Sequence, residues 1–397
     1  MLLTRRAALQ NFVSAATIPS LLGVSSASAA DTSSGTAPGF ESIDLKTISQ
    51  PSDRYYGWPT VARRSSGELL LVASGGRERH VCPFGRVDLM QSFDNGDSWT
   101  FARTIADGPI DDRDAGVMET PAGTLLVTTF TSLAYEPPLR AALSDANTTK
   151  PSMPAEQLQR WKAAHGRLAD GQHQAQLGCW MLRSEDDGLT WSAPYRCPLN
   201  SPHGPVGLSD GSLLYAGKRL WEASAAVGVC RSEDDGKTWT WLADIPTRPG
   251  DDHREYHELH AVEAADGRLL VQIRNHNQPH AGETLQTHSA DAGKTWADPY
   301  SIGVWGLPSH LLKLRDGRLL MSYGHRRAPL GNQVRISEDH GRSWSGPIML
   351  YADGASGDLG YPSTVELDDG TLLTVWYEVL KGSPLSQLRA ARWKLKA

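Results

Sequence analysis

Six short segments, each followed by a glycine-centred turn, carry the side chains of this chain that could do chemistry. They span residues 56–61, 112–117, 201–206, 258–262, 308–312 and 360–365, and they hold Trp58, Arg113, Asp114, His203, Glu258, His260, His310 and Tyr361. Carboxyl groups, a phenol, a guanidinium and imidazoles are the types that move protons, attack carbon centres and grip polar substrates. The three histidines occupy similar places in successive segments. Their rings suit hydrogen bonding to a substrate, packing, or holding a metal as a three-His set.

Two turn motifs must position these segments. Turns of the type Gly-x-Leu-Leu begin at Gly67, Gly123, Gly211, Gly267, Gly317 and Gly370, each between a short strand-like run and an apolar one. Between them fall five copies of SxDxGx(S/T)W: residues 92–99, 184–191, 232–239, 289–296 and 337–344. In each box the Asp (Asp94, Asp186, Asp234, Asp291, Asp339) is expected to bond turn donors, the Gly to take the left-handed backbone, and the Trp to plug the hairpin base. A calcium loop of the EF-hand kind is excluded, because the alternating acidic ligands and the closing Glu are missing.

The resulting order is strand, G-turn, strand, strand, box, strand, repeated about every fifty residues. Six such units predict an all-β, six-bladed β-propeller over residues 40–397. The sixth unit lacks a box and ends after three strands, so residues 40–48 are expected to close it as an outer strand and remove the open edge. One step is long: Gly123 to Asp186 is 63 residues, against 22 to 27 for its equivalents. This predicts a partly helical insertion in blade 2 over 131–176, with a helix over 154–165 stopped at Gly166 and buried through Leu158 and Trp161. It is expected to form a pocket wall, a lid or a neutral excursion.

With five boxes and six G-turns, nearly the whole chain after residue 39 resembles the sialidase superfamily. The resemblance implies a sialidase-like exo-acting glycoside hydrolase that cleaves a terminal, acidic sugar from a glycan and uses no cofactor or metal. It implies Tyr361 as nucleophile, Glu258 as its activating base, Arg274 and Arg326 or Arg327 as pocket arginines, and Glu378 as a supporting carboxylate. A neutral phenol avoids the repulsion that a carboxylate nucleophile would meet at an anionic sugar. Two family features are absent. The first blade reads YYGWPT, with Gly57 or Trp58 where an arginine is expected, and the acid/base aspartate is not evident in SGGRERHVCPFG, which offers Glu78 and His80. Arg113 could supply the missing charge and Asp114 the proton. Rival readings on the same fold are a polysaccharide lyase, an arabinan-type exo-hydrolase and a non-catalytic glycan-binding propeller.

Composition bounds the setting. Residues 1–30 carry Thr4, Arg5, Arg6 and Leu9 of a twin-arginine pattern, an apolar run over 12–24 too short for a membrane span, and an Ala27-Ser28-Ala29 cleavage site. A linker over 31–39 follows, and the expected location is the periplasm or beyond. Without the two signal arginines the charge is 37 − 45 = −8, which argues against nucleic acid as a partner. Cys179 and Cys197 flank the second box symmetrically and are candidates for a disulfide.

Overall fold

The computed structural model describes residues 37–50 and 53–396, so the expected signal peptide over 1–30 and most of the expected linker over 31–39 lie outside the described residues. Six four-stranded antiparallel sheets make a six-bladed β-propeller. Blade 1 comprises Tyr55–Arg63, Leu69–Arg77, Arg86–Ser92 and Arg103–Ala106, from the axis outward. The inner strands of the other blades are Asp111–Glu119, Val206–Gly207, Tyr256–Glu263, Ser309–Lys313 and Leu359–Glu366. The outermost strand of blade 6 is Phe40–Thr47, which pairs with Ser386–Leu395 from Phe40↔Leu395 to Thr47↔Arg389.

The leucine pairs after each G-turn explain how the blades cohere. Consecutive residues of a strand point to opposite faces, so each pair serves two neighbouring cores. Leu70 and Leu125 share one inter-blade core, Leu126 and Leu213 the next, Leu214 and Leu269 the third. Leu270 with Leu319, Leu320 with Leu372, and Leu373 with Leu69 complete the ring. Full burial of each leucine is worth roughly 2 kcal/mol, and the contribution repeats at every interface.

Each box satisfies its own turn. In the third copy, Asp234 Oδ1 accepts from Ser232 Oγ at 2.9 Å and from the Thr238 amide at 2.8 Å, while Thr238 Oγ1 donates to Oδ2 at 2.6 Å. The residue before the glycine is left-handed as well, from Asn95 to His340, so the turn takes two such residues rather than one.

The insertion contains two helices, Glu136–Asp145 and Ala155–His165. Only the second was legible in the sequence; Pro137 and Pro138 mask the first, although proline fits a first helical turn. Leu158 and Trp161 are buried as expected, and Trp161 Nε1 donates to Glu78 at 2.9 Å. The insertion thus grips the loop of blade 1 that carries His80. The disulfide expectation is corrected: all four cysteines are free and buried, with Cys179, Cys197 and Cys230 in one apolar core beside Tyr215. Among the described residues no helix is long and apolar enough to cross a membrane.

Candidate active site

Ten non-glycine residues among those described have a left-handed backbone; five lie in boxes and one is Ala225. The other four are Trp58, Asp114, Glu258 and Tyr361, with φ of 54°, 39°, 45° and 52°. In each case the pairing with the second strand slips, between Gly57 and Thr60, Arg113 and Gly116, His257 and His260, and Gly360 and Ser363. A bulge of this kind re-aims a side chain, and a left-handed non-glycine residue costs roughly 1–2 kcal/mol. Four blades bear that strain at one level of the channel. A counting rule in the sequence marks the level: each of the four stands eleven residues before the first leucine of its G-turn, as 258 stands before 269. In blades 3 and 5 the position is Pro202 and Pro308, and proline cannot take a positive φ.

Tyr361 and Glu258 meet there. The phenol donates to Glu258 Oε1 at 2.5 Å, and Arg274 Nη1 lies 2.5 Å from Glu258 Oε2 and 3.3 Å from the Tyr361 oxygen. Burial acts to raise the Glu258 carboxyl, but the Arg274 charge and the Tyr361 hydrogen bond outweigh it and hold the pKa below the usual glutamate value. Burial, followed by the charge of Glu258, pushes the Tyr361 phenol well up.

Asp114 behaves oppositely. It is 5 % exposed; burial, offset by Arg113 and reinforced by Glu258, raises its carboxyl to about 7. One carboxylate ionised and one carboxylic acid protonated near neutrality is the division of labour that acid–base chemistry needs.

Trp58 is only 2 % exposed. Its ring carries the guanidinium of Arg113 at 4.3 Å and that of Arg77 at 4.9 Å, and His80 packs edge-on at 5.0 Å. Trp58 was expected to contact substrate; it instead supports Arg113 and His80. Arg77 is spent on a fully buried pair with Asp111, whose second carboxylate oxygen also lies 3.8 Å from Arg113 Nη1, so two guanidiniums share one carboxylate on this side. His80 Nδ1 donates to Asp358 at 2.9 Å, and Tyr55 donates to the same carboxylate at 3.0 Å. Burial lowers His80 below the usual imidazole range despite that partner. Arg326 donates to the Leu359 carbonyl at 3.0 Å, one residue before Gly360 in the strand of Tyr361.

Three expectations need correction. Glu378 is wholly buried and pairs with Arg389 of the adjacent strand, not with a pocket arginine. His203 and His310 are 3 % and 7 % exposed, packed with His260 at ring distances of 4.6–5.4 Å. His260 and His310 lie nine residues before their leucines, and His203 ten, so all three sit deeper in the channel than the strained level. Glu78 serves the insertion, accepting from Gln157, Arg160 and Trp161. Residues that sequence reasoning missed are Asp358, Tyr55, Tyr377 and His276, the last accepting from Arg274 Nε at 2.7 Å. An opening of about 640 Å³ on the opposite, G-turn face is lined by Glu119, Ser209 and Glu263 and by none of these groups.

The BNR repeat-like domain model matches residues 157–374, more than half of the sequence. The chain belongs to the BNR repeat-like family. Within solved structures, this family member is similar to a Dyadobacter fermentans protein described as of unknown function, at 23% identity and a TM-score of 0.72, covering 90% of this chain and 100% of that one. It is also similar to the NanB sialidase of Streptococcus pneumoniae, at 14% identity and a TM-score of 0.60, covering 91% and 70%. A Hadza microbial sialidase matches at 18% identity and a TM-score of 0.59, covering 85% and 65%. No curated protein matches by sequence. At these identities the likeness shows the fold, a sialidase-like propeller; what the BNR repeat-like member does with it rests on its own residues.

Proposed function

We propose that the protein is an exo-acting glycoside hydrolase that removes a terminal sugar bearing an acidic group from a glycan. The observation that carries the reading is the contact of Tyr361 with Glu258, with Arg274 bridging both. In the proposed reaction the Tyr361 oxygen attacks the anomeric carbon as Glu258 takes its proton. Asp114 gives its proton to the departing glycosidic oxygen. Water then cleaves the tyrosyl–sugar bond with Asp114, now ionised, as base, and the phenol proton returns from Glu258. Arg113 and Arg326 favour an anionic sugar: Arg274 is balanced by Glu258, whereas Asp111 alone faces both Arg77 and Arg113 and leaves one positive charge over. The twin-arginine pattern of residues 1–30 supports export as the setting.

A panel of chromogenic glycosides, sialosides included, tests the reading with wild-type protein and Tyr361→Phe. The expected result is release of one acidic sugar, reduced at least about a hundredfold in the variant. Equal turnover by the two proteins, or an unsaturated product absorbing in the near ultraviolet, would overturn it.

A further inference from the structure

The insertion carries a second cluster, which shares no residue with the proposed reaction. Glu136 opens the first helix, His165 ends the second, and His173 begins the short 3-10 turn that follows. One ligand atom from each lies within 4.8 Å of the others. The imidazoles of His165 and His173 stack with centroids 3.9 Å apart and planes inclined by 18°. Together with Asp170 and Gln174 they line a cavity of about 220 Å³.

Each ring has one nitrogen engaged on its outer side and one left over. His173 Nε2 lies 2.9 Å from the His165 carbonyl; a carbonyl can only accept, so Nε2 carries the proton and Nδ1 keeps its lone pair. His165 Nδ1 lies 3.2 Å from the Tyr135 hydroxyl, which can accept from it or donate to it; in the tautomer protonated at Nδ1, the one a metal would select, Nε2 keeps the lone pair. Glu136 Oε2 accepts from Arg140 at 3.2 Å, which leaves Oε1. Neither leftover imidazole nitrogen has a hydrogen-bond partner among the described residues, although His173 is only 6 % exposed. Metal-ligating histidines show the arrangement seen at His173: the second ring nitrogen donates to a backbone carbonyl, orienting the first.

We propose that Glu136, His165 and His173 bind a divalent transition-metal ion, of which zinc is the best match to two imidazoles and one carboxylate. Asp170 or water completes the coordination. The ion ties together the start of one helix, the end of the next and the 3-10 turn. Those elements otherwise meet through a small core of Tyr135, Leu139, Leu158 and Trp161. Because Trp161 and Arg160 hold Glu78, a metal here also steadies the loop that bears His80.

The test uses the full chain, stripped with chelator and dialysed, then titrated with Zn²⁺ by calorimetry and with Co²⁺ by visible absorption. One ion per chain is expected, with a dissociation constant below about 10 μM and a rise in melting temperature on binding. His165→Gln with His173→Gln should abolish both signals while the metal-free melting temperature stays near that of wild type. The variant His257→Gln with His276→Gln addresses the other group able to hold an ion, Glu255, His257 and His276; it should bind normally. Absence of stoichiometric binding in wild type, or loss of binding in the second variant with retention in the first, would overturn the assignment.

Discussion

Arg274 places one nitrogen, Nη1, within 3.3 Å of the Tyr361 oxygen while holding Glu258. The same cation therefore stabilises the glutamate as an anion and any charge that develops on the phenol. Groups coupled in this way act as a unit. Glu258→Gln is expected to lower kcat at least about a hundredfold, as Tyr361→Phe does, and the double variant to be no more than a few-fold worse than either. Additive losses, read from kcat/KM of the three proteins, would show that the two side chains do not share a step.

In the proposed reaction Asp114 should set the alkaline side of the pH profile. Its carboxyl is raised to about 7, chiefly by burial, so the protonated form needed to assist the leaving group is depleted as pH rises through that value. The ionised Glu258 is depleted only as pH falls below the usual glutamate value. Activity should therefore fall on the alkaline side with a midpoint near 7. In Asp114→Asn that limb should vanish, and an aryl glycoside with an activated leaving group should lose less activity than an alkyl one. An unchanged alkaline limb in the variant assigns it to another group.

The three buried channel histidines predict acid sensitivity. Burial lowers His310 to about 3 and pushes His203 and His260 well down, so the folded protein refuses protons that the unfolded chain accepts below about 6.5. The stability due to neutral His310 is present above pH 6.5 and is lost as pH falls toward 3; at pH 5 the loss from this ring is about 2 kcal/mol. His310→Gln retains an acceptor for the Thr364 amide and should flatten denaturant-measured stability between pH 7 and pH 5 by that amount. Parallel curves for wild type and variant would mean the ring is hydrated enough to protonate in place.

How much of this the sequence disclosed follows from where each residue sits. Tyr361, Glu258, Asp114 and Trp58 were legible because each recurs at one register of a repeated unit, and a repeat turns spacing into position. His203 and His310 misled because one or two residues of offset along a strand of about 3.3 Å per residue moves a side chain to another face or another level. Asp358 precedes the inner strand of blade 6, so only the closed ring brings it to His80 of blade 1, whereas Tyr55 pairs with Arg77 inside blade 1 and meets His80 through that register. His276 had a signal: it alternates with Arg274, and two residues apart on extended chain share a face. Trp58 was found but its role was inverted, since burial decides whether an aromatic ring touches a ligand or carries the group that does.

The insertion supplies the last prediction. Trp161 is fully buried, donates to Glu78 at 2.9 Å, and lies under the Arg79 guanidinium at 4.6 Å. Its replacement by alanine empties a site at the junction of insertion and loop, where loss of a large aromatic typically costs 3–5 kcal/mol. The cost should fall locally, because the propeller cores are built from the leucine pairs and not from this cluster. Residues 78–80 would then lose their anchor while Tyr361 and Glu258 keep theirs. Trp161→Ala is therefore expected to raise KM for the cleaved glycoside at least about fivefold, with a smaller change in kcat and β-sheet circular dichroism unaltered. A wild-type KM in a variant that unfolds at lower temperature would show that the loop bearing His80 is held by the propeller alone.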